Sequence, residues 1–236
     1  MLGPAGQQLE LWVDQFTPPT NDIQRQVLII KFPGTGGRAE NSTLRPADQW
    51  ARLDSVMWTV NPFGYGGSDG RATLQRFPEM IERVLAAAQA EHPQRSLVVV
   101  GNSLGTLSAL ALAAQTSVAG VYLRNPVPLH QLITLRPRYR WPSLGLSRWL
   151  SSTIPDAIDG VANAGGAQAP ALVLMSLQDR LVPPDYQRLI TDPYAGPSRL
   201  LGLEGADHHD PVPESQLDDW QEGLGWLEDQ ICQGQH

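Results

Sequence analysis

The order of apolar segments in this chain predicts an α/β fold: a mostly parallel central sheet with helices on both faces. Three observations carry the expectation. Short, nearly continuous apolar runs recur at Val27–Phe32, Leu97–Val100, Val118–Leu123 and Ala171–Met175, each closed by glycine, proline or polar residues. Runs of that length without alternation fit strands covered on both faces. Between them lie segments with apolar residues at steps of three and four, the spacing of a helix with one buried side. Alternation of the two along one chain is the pattern of a parallel sheet with crossover helices.

Taken in order, Leu9–Phe16 alternates Leu9, Leu11 and Val13 with Glu10, Trp12 and Asp14, which suits a half-buried strand near a sheet edge. Ser55–Val60 and Arg199–Leu203 are weaker strand candidates. A helix is expected from Pro78, a favourable first-turn residue, through Met80, Ile81, Val84, Leu85 and Ala88 to the stop at His92-Pro93. A second should open at Ser103 and carry Leu107, Leu110, Ala111 and Ala114; a last one carries Leu217, Trp220, Leu224, Leu227 and Ile231. Residues 124–169 are punctuated by Pro126, Pro128, Pro137, Trp141, Pro142, Gly145 and Trp149, and read as a small lid or insertion. The whole of residues 1–236 reads as one domain.

Composition narrows the function. With 236 residues, 42% of them hydrophobic, the chain can bury a sizeable core. Its 24 acidic and 17 basic residues give a net charge of -7, and the basic residues are read as forming no phosphate-binding face, so no nucleic-acid partner is expected. The single cysteine, Cys232, excludes an intramolecular disulfide, and no His/Cys/Asp cluster has ligand spacing, so neither a metal nor another cofactor is expected. The first sixteen residues lack a basic leader and a continuous apolar run, and no segment reaches the ~18 apolar residues of a membrane span. A soluble, cytoplasmic protein is expected.

The chemistry is concentrated in Gly101-Asn102-Ser103-Leu104-Gly105, a G-x-S-x-G pattern directly between an apolar strand and a helix. Glycines on either side of the serine let strand and helix approach closely, and the turn lifts Ser103 clear of the backbone. The competing reading is an ordinary tight turn with a helix-capping serine. A serine hydroxyl needs a base to take its proton and a third group to orient that base. Of five histidines, His92 abuts a helix-ending proline, His130 lies in the insertion and His236 is terminal; His208 and His209 follow a strand-like run and precede the last helix. Asp179 directly follows the strand ALVLMSLQ and precedes Val182-Pro183, whereas Asp185 and Asp192 read as later loop or helix residues, solvated or capping, and Asp207 is too near His208 in sequence to approach its ring as a strand-mounted orienter would. The glycines after VLIIKF lack the Lys-Ser/Thr of a P-loop and the G-x-G-x-x-G register, which argues against nucleotide binding.

Together, Pro33–Gly37, Asn61–Ser68, Gly101–Thr106, Ala171–Pro183 and Gly205–His208 resemble the α/β-hydrolase superfamily, particularly its Bem46-like branch of small serine hydrolases. The resemblance spans nearly the whole chain. It implies the order serine, acid, histidine, hence Ser103 as nucleophile, Asp179 as orienting acid and His208 as base, since Gly205-Ala206-Asp207-His208 matches the family's Gly-Ala-x-His loop. His209 is the alternative. It also implies an oxyanion hole from the backbone N–H groups of Thr35 and Leu104. Two departures stand out: Pro33 replaces the customary histidine before Gly34, and Ser176-Leu177 replaces a frequent His-Gly before the acid. The implied activity is hydrolysis of a small-molecule ester or thioester through an acyl-enzyme. An amidase or peptidase with the same triad, and a non-catalytic binding protein on the same fold, are the alternatives.

Overall fold

The computed structural model describes residues 6–19, 22–135 and 144–234. Seven strands form one sheet in the order β1-β3-β2-β4-β5-β6-β7. They are β1 (Leu11–Phe16), β2 (Arg25–Phe32), β3 (Leu53–Val60), β4 (Ser96–Asn102), β5 (Gly120–Arg124), β6 (Ala171–Ser176) and β7 (Ser198–Leu203). Only β1, at one edge, runs antiparallel, pairing with β3; every other pairing is parallel. The apolar runs expected as doubly covered strands are buried almost throughout, and the alternating β1 is half exposed. Ser55–Val60, a weak candidate by sequence, is the fully buried end of β3 beside β2.

Side chains alternate across the sheet with period two and build two cores. Leu28, Ile30, Phe32 and Val99 face a cluster covered by α1 (Phe77–Glu91), α2 (Gly105–Gln115), α5 (Gly160–Gly166) and α6 (Pro184–Thr191). Val27, Ile29, Val98 and Val100 face a second cluster covered by α7 (Leu217–Gln233), with Trp220, Leu224, Leu227 and Ile231 inward. Helices therefore lie on both faces.

Two expectations are corrected. The second helix begins at Gly105, not Ser103, because Ser103 has φ 48° and cannot belong to a right-handed turn. Residues 124–169 are not uniformly a lid. After α3 (Leu129–Leu135) and α4 (Leu144–Ser152), the chain from Ile154 to Ala169 returns to the sheet; Ile154, Ile158, Ala164 and Ala167 are core residues, and α5 packs on α2. This second half completes the β5-to-β6 crossover that a parallel pairing requires. Trp141 lies outside the described residues. Among the described residues, no helix is long and apolar enough to cross a membrane.

Candidate active site

Strands β4, β5 and β6 and the loop after β7 end on the same edge of the sheet, and the candidate residues gather there. Between β4 and α2 the chain reverses over Ser103 and Leu104. The left-handed φ of Ser103 is costly for a residue with a Cβ, and the surrounding contacts hold it in place. Its N–H donates to the Arg124 carbonyl at 2.8 Å, and its carbonyl accepts from the Thr106 N–H at 2.9 Å and hydroxyl at 2.6 Å. The flanking glycines make the turn possible: a Cβ at Gly101 would lie 2.7 Å from Thr106 Cα, and one at Gly105 would lie 2.1 Å from the Phe32 carbonyl oxygen. Both contacts are with backbone, which cannot rotate away.

The hydroxyl of Ser103 is 2.8 Å from His208 Nε2, and His208 Nδ1 is 2.6 Å from Asp179 Oδ2. Asp179, 3% exposed, is held by four donors. Its Oδ1 accepts from the N–H groups of Leu181 (2.8 Å) and Val182 (2.7 Å), and its Oδ2 from Gln187 Nε2 (3.1 Å) as well as from the histidine. An Asx-type turn thus fixes one oxygen and leaves the other aimed at the imidazole. Asp207 accepts from the N–H groups of Arg180 and His208, bonds that hold its carboxyl below the usual carboxylate range and shape the histidine loop.

On the other side of the serine, the Gly34-Thr35 turn presses close enough that a Cβ at Gly34 would stand 3.2 Å from Ser103 Cβ. Among the described residues, neither the Thr35 nor the Leu104 N–H donates to another protein group. That is the condition of an unfilled anion-accepting corner, with Leu104 the N-cap of α2, at the helix end whose amides lack intrahelical acceptors. A cavity of about 410 Å³ opens over Ser103, His208, Gly34, Thr35 and Arg124.

The other candidates fall elsewhere. His209 stacks edge-on against the His208 ring at 4.8 Å and lines the cavity, with no bond to Ser103 or Asp179. His92 caps α1 against Trp58, and His130 Nδ1 is 3.0 Å from Ser151 Oγ. Asp185 lies in the first turn of α6 and Asp192 at its end. His236 is outside the described residues.

Sequence reasoning missed Asn125 and Gln187. Asn125, buried with φ 48°, donates from Nδ2 to the His208 carbonyl and accepts at Oδ1 from the Ser176 N–H, both at 2.8 Å. It ties the histidine loop to the end of β6. Gln187 is fully buried in α6 beneath Asp179 and bonds the Val182 carbonyl at 2.7 Å. Asn125 carried a faint signal, a polar residue closing an apolar run before Pro126; Gln187 carried none.

The fold and the site define one class of protein. A family model described as alpha/beta hydrolase fold matches residues 51–145. An uncharacterized protein of Mycobacterium tuberculosis is 30% identical over 210 residues, which cover 87% of this chain and 70% of that protein. The human alpha/beta hydrolase domain-containing protein 17B is 23% identical over 162 residues, 68% of this chain and 52% of that one. Among solved structures, Est1E of Butyrivibrio proteoclasticus with ferulic acid bound superposes with a TM-score of 0.68 at 19% identity, covering 98% of this chain and 99% of its own. The chain belongs to the α/β-hydrolase superfamily.

Proposed function

We propose that the protein is a serine hydrolase that cleaves a carboxylic ester or thioester of a small molecule, with Ser103 as nucleophile, His208 as general base and Asp179 as its orienting acid. The observation that carries this reading is the unbroken chain from Ser103 Oγ through His208 to Asp179, at 2.8 and 2.6 Å. His208 Nε2 takes the hydroxyl proton as Oγ bonds to the acyl carbon. Asp179 holds the Nδ1–H tautomer and offsets the charge of the imidazolium. The N–H groups of Thr35 and Leu104 receive the oxygen of the tetrahedral intermediate. The protonated histidine then gives its proton to the departing alcohol or thiol. Water repeats the sequence on the acyl-enzyme and releases the acid. No step requires a metal or an organic cofactor.

Acetyl xylan esterases among the solved structures with this fold are consistent with this assignment. Labelling by a fluorophosphonate probe, followed by a panel of matched esters, thioesters and anilides, tests it. Ester or thioester turnover lost by at least about 10³-fold in Ser103→Ala, with labelling abolished and the fold intact, is the expected result. Equal labelling of the variant sinks the serine assignment. Anilide preference makes the protein an amidase, and no labelling of the wild type makes it a binding protein.

A further inference from the structure

The cavity beside Ser103 contains a cation that the triad does not use. Arg124 closes β5, directly across the parallel pairing from Asn102, and lines the same cavity as Ser103 and His208. Among the described residues its guanidinium has one hydrogen-bond partner, the Asp210 carbonyl, to which Nη2 donates, and its buried Nε has no acceptor. Among the described residues, no carboxylate forms an ion pair with it. Burial pulls its pKa below the ordinary arginine value and the charge of Arg45 adds to that, while Tyr122 and Asp210 oppose it. A charge withdrawn from water without a counter-ion is unfavourable, and an anion delivered by a ligand relieves the cost.

Position decides which part of a substrate meets this charge. Histidine protonates the leaving group, so the leaving group lies toward His208; Arg124, whose guanidinium reaches the Asp210 carbonyl of the same loop, and His209, in contact with the His208 ring, are on that side. Beyond the Gly34-Thr35 turn lies a separate, smaller hollow of about 120 Å³, walled by Phe63, Leu74, Phe77 and Leu104. Among the described residues, none that lines it is charged.

From this juxtaposition we infer that the site takes a short apolar acyl group carried on an anionic alcohol or thiol, whose carboxylate or phosphate is bound by Arg124. The inference rests on the hydrolase reading for its orientation. Arg124 is thereby a specificity-determining residue: a guanidinium offers two parallel N–H donors to either anion.

The test compares the butyryl ester of 4-hydroxybenzoate with that of 4-hydroxybenzamide, and butyryl glycerol phosphate with butyryl glycerol, on wild type, Arg124→Gln and Arg124→Lys. Taking ratios between variant and wild type cancels intrinsic reactivity. Arg124→Gln should lower kcat/KM at least about tenfold for the charged esters, mainly through KM, and less than about threefold for the neutral ones, with Arg124→Lys between. Which charged ester loses more identifies carboxylate or phosphate as the preferred anion. Equal losses on charged and neutral esters would show that Arg124 only braces the Asp210 loop; no loss on either would remove it from recognition. Calorimetric titration of Ser103→Ala, with and without Arg124→Gln, using the same benzoate and benzamide esters reads the subsite without turnover. Charge-selective, Arg124-dependent binding supports it even if fluorophosphonate labelling of the wild type fails and the hydrolase reading falls. Equal affinity for both esters overturns it.

Discussion

An aspartate can orient an imidazole only if its own carboxylate is kept from turning. Asp179 meets that condition through the Leu181 and Val182 amides on one oxygen and Gln187 on the other. Replacing the acid itself, as Asp179→Asn, should lower kcat by about 10³–10⁴-fold, since the amide favours the wrong histidine tautomer. Gln187 acts through Asp179 and is a positioning residue. Gln187→Leu is expected to lower kcat about tenfold, roughly 1.4 kcal/mol of barrier, with KM unchanged and fluorophosphonate labelling slowed in proportion. A variant that melts lower but labels at the wild-type rate would reduce Gln187 to packing. The placement of Ser103 and Asp179 was legible in the sequence because each follows an apolar strand in a short polar turn. Gln187 was not, because its value depends on which residue the fold sets above α6.

Helices α4 and α7 carry tryptophans that composition cannot distinguish. Trp220 of α7 is 2% exposed and donates from Nε1 to the Tyr122 hydroxyl at 3.2 Å, whereas Trp149 of α4 is 63% exposed. Trp220→Ala should cost about 3–5 kcal/mol, a fall in Tm of roughly 10 °C for a chain of this size. Trp149→Ala should stay within about 0.5 kcal/mol of wild type. Of the described residues of 124–169, only Arg124 and Asn125 line the cavity at Ser103. Trp149→Ala should therefore leave the ratio of long- to short-chain ester hydrolysis unchanged; thermal unfolding and the chain-length panel check both halves, and an altered ratio would return α4 to the site.

At the scale of the whole molecule, the sheet buries a charge away from the lining of the cavity at Ser103. Lys31 of β2 is 1% exposed, and its Nζ donates to the carbonyls of Thr43 and Arg45 and the Thr43 hydroxyl, pinning the segment before β3. Burial lowers its pKa to about 8, against the opposing attraction of Asp48 and Asp14. Between about pH 8 and 10.5 the folded chain has released this proton while the unfolded chain retains it, so the lysine's contribution to stability rises with pH. Linkage puts the full change on the order of 3 kcal/mol. Chemical denaturation of wild type and Lys31→Met at pH 7.5 and pH 10 should show the wild type gaining relative to the variant at the higher pH. A difference that does not vary with pH would mean that the lysine is buried without its charge being disfavoured.

What the sequence determined by itself was local in origin. Uninterrupted apolar runs dictate doubly covered strands, period-two alternation marks β1 as an edge, and two glycines flanking Ser103 permit the tight turn between strand and helix. The tertiary structure decided what depends on pairing across the chain. His208 meets a serine 105 residues away and an aspartate 29 residues away, while the adjacent His209 meets neither. Asn125 joins two loops, Arg124 comes to line the cavity at Ser103, and half of an apparent lid becomes core. Each of these follows from the register of parallel strands and the crossovers between them. Periodicity encodes which face a residue occupies, but not which distant residue stands opposite.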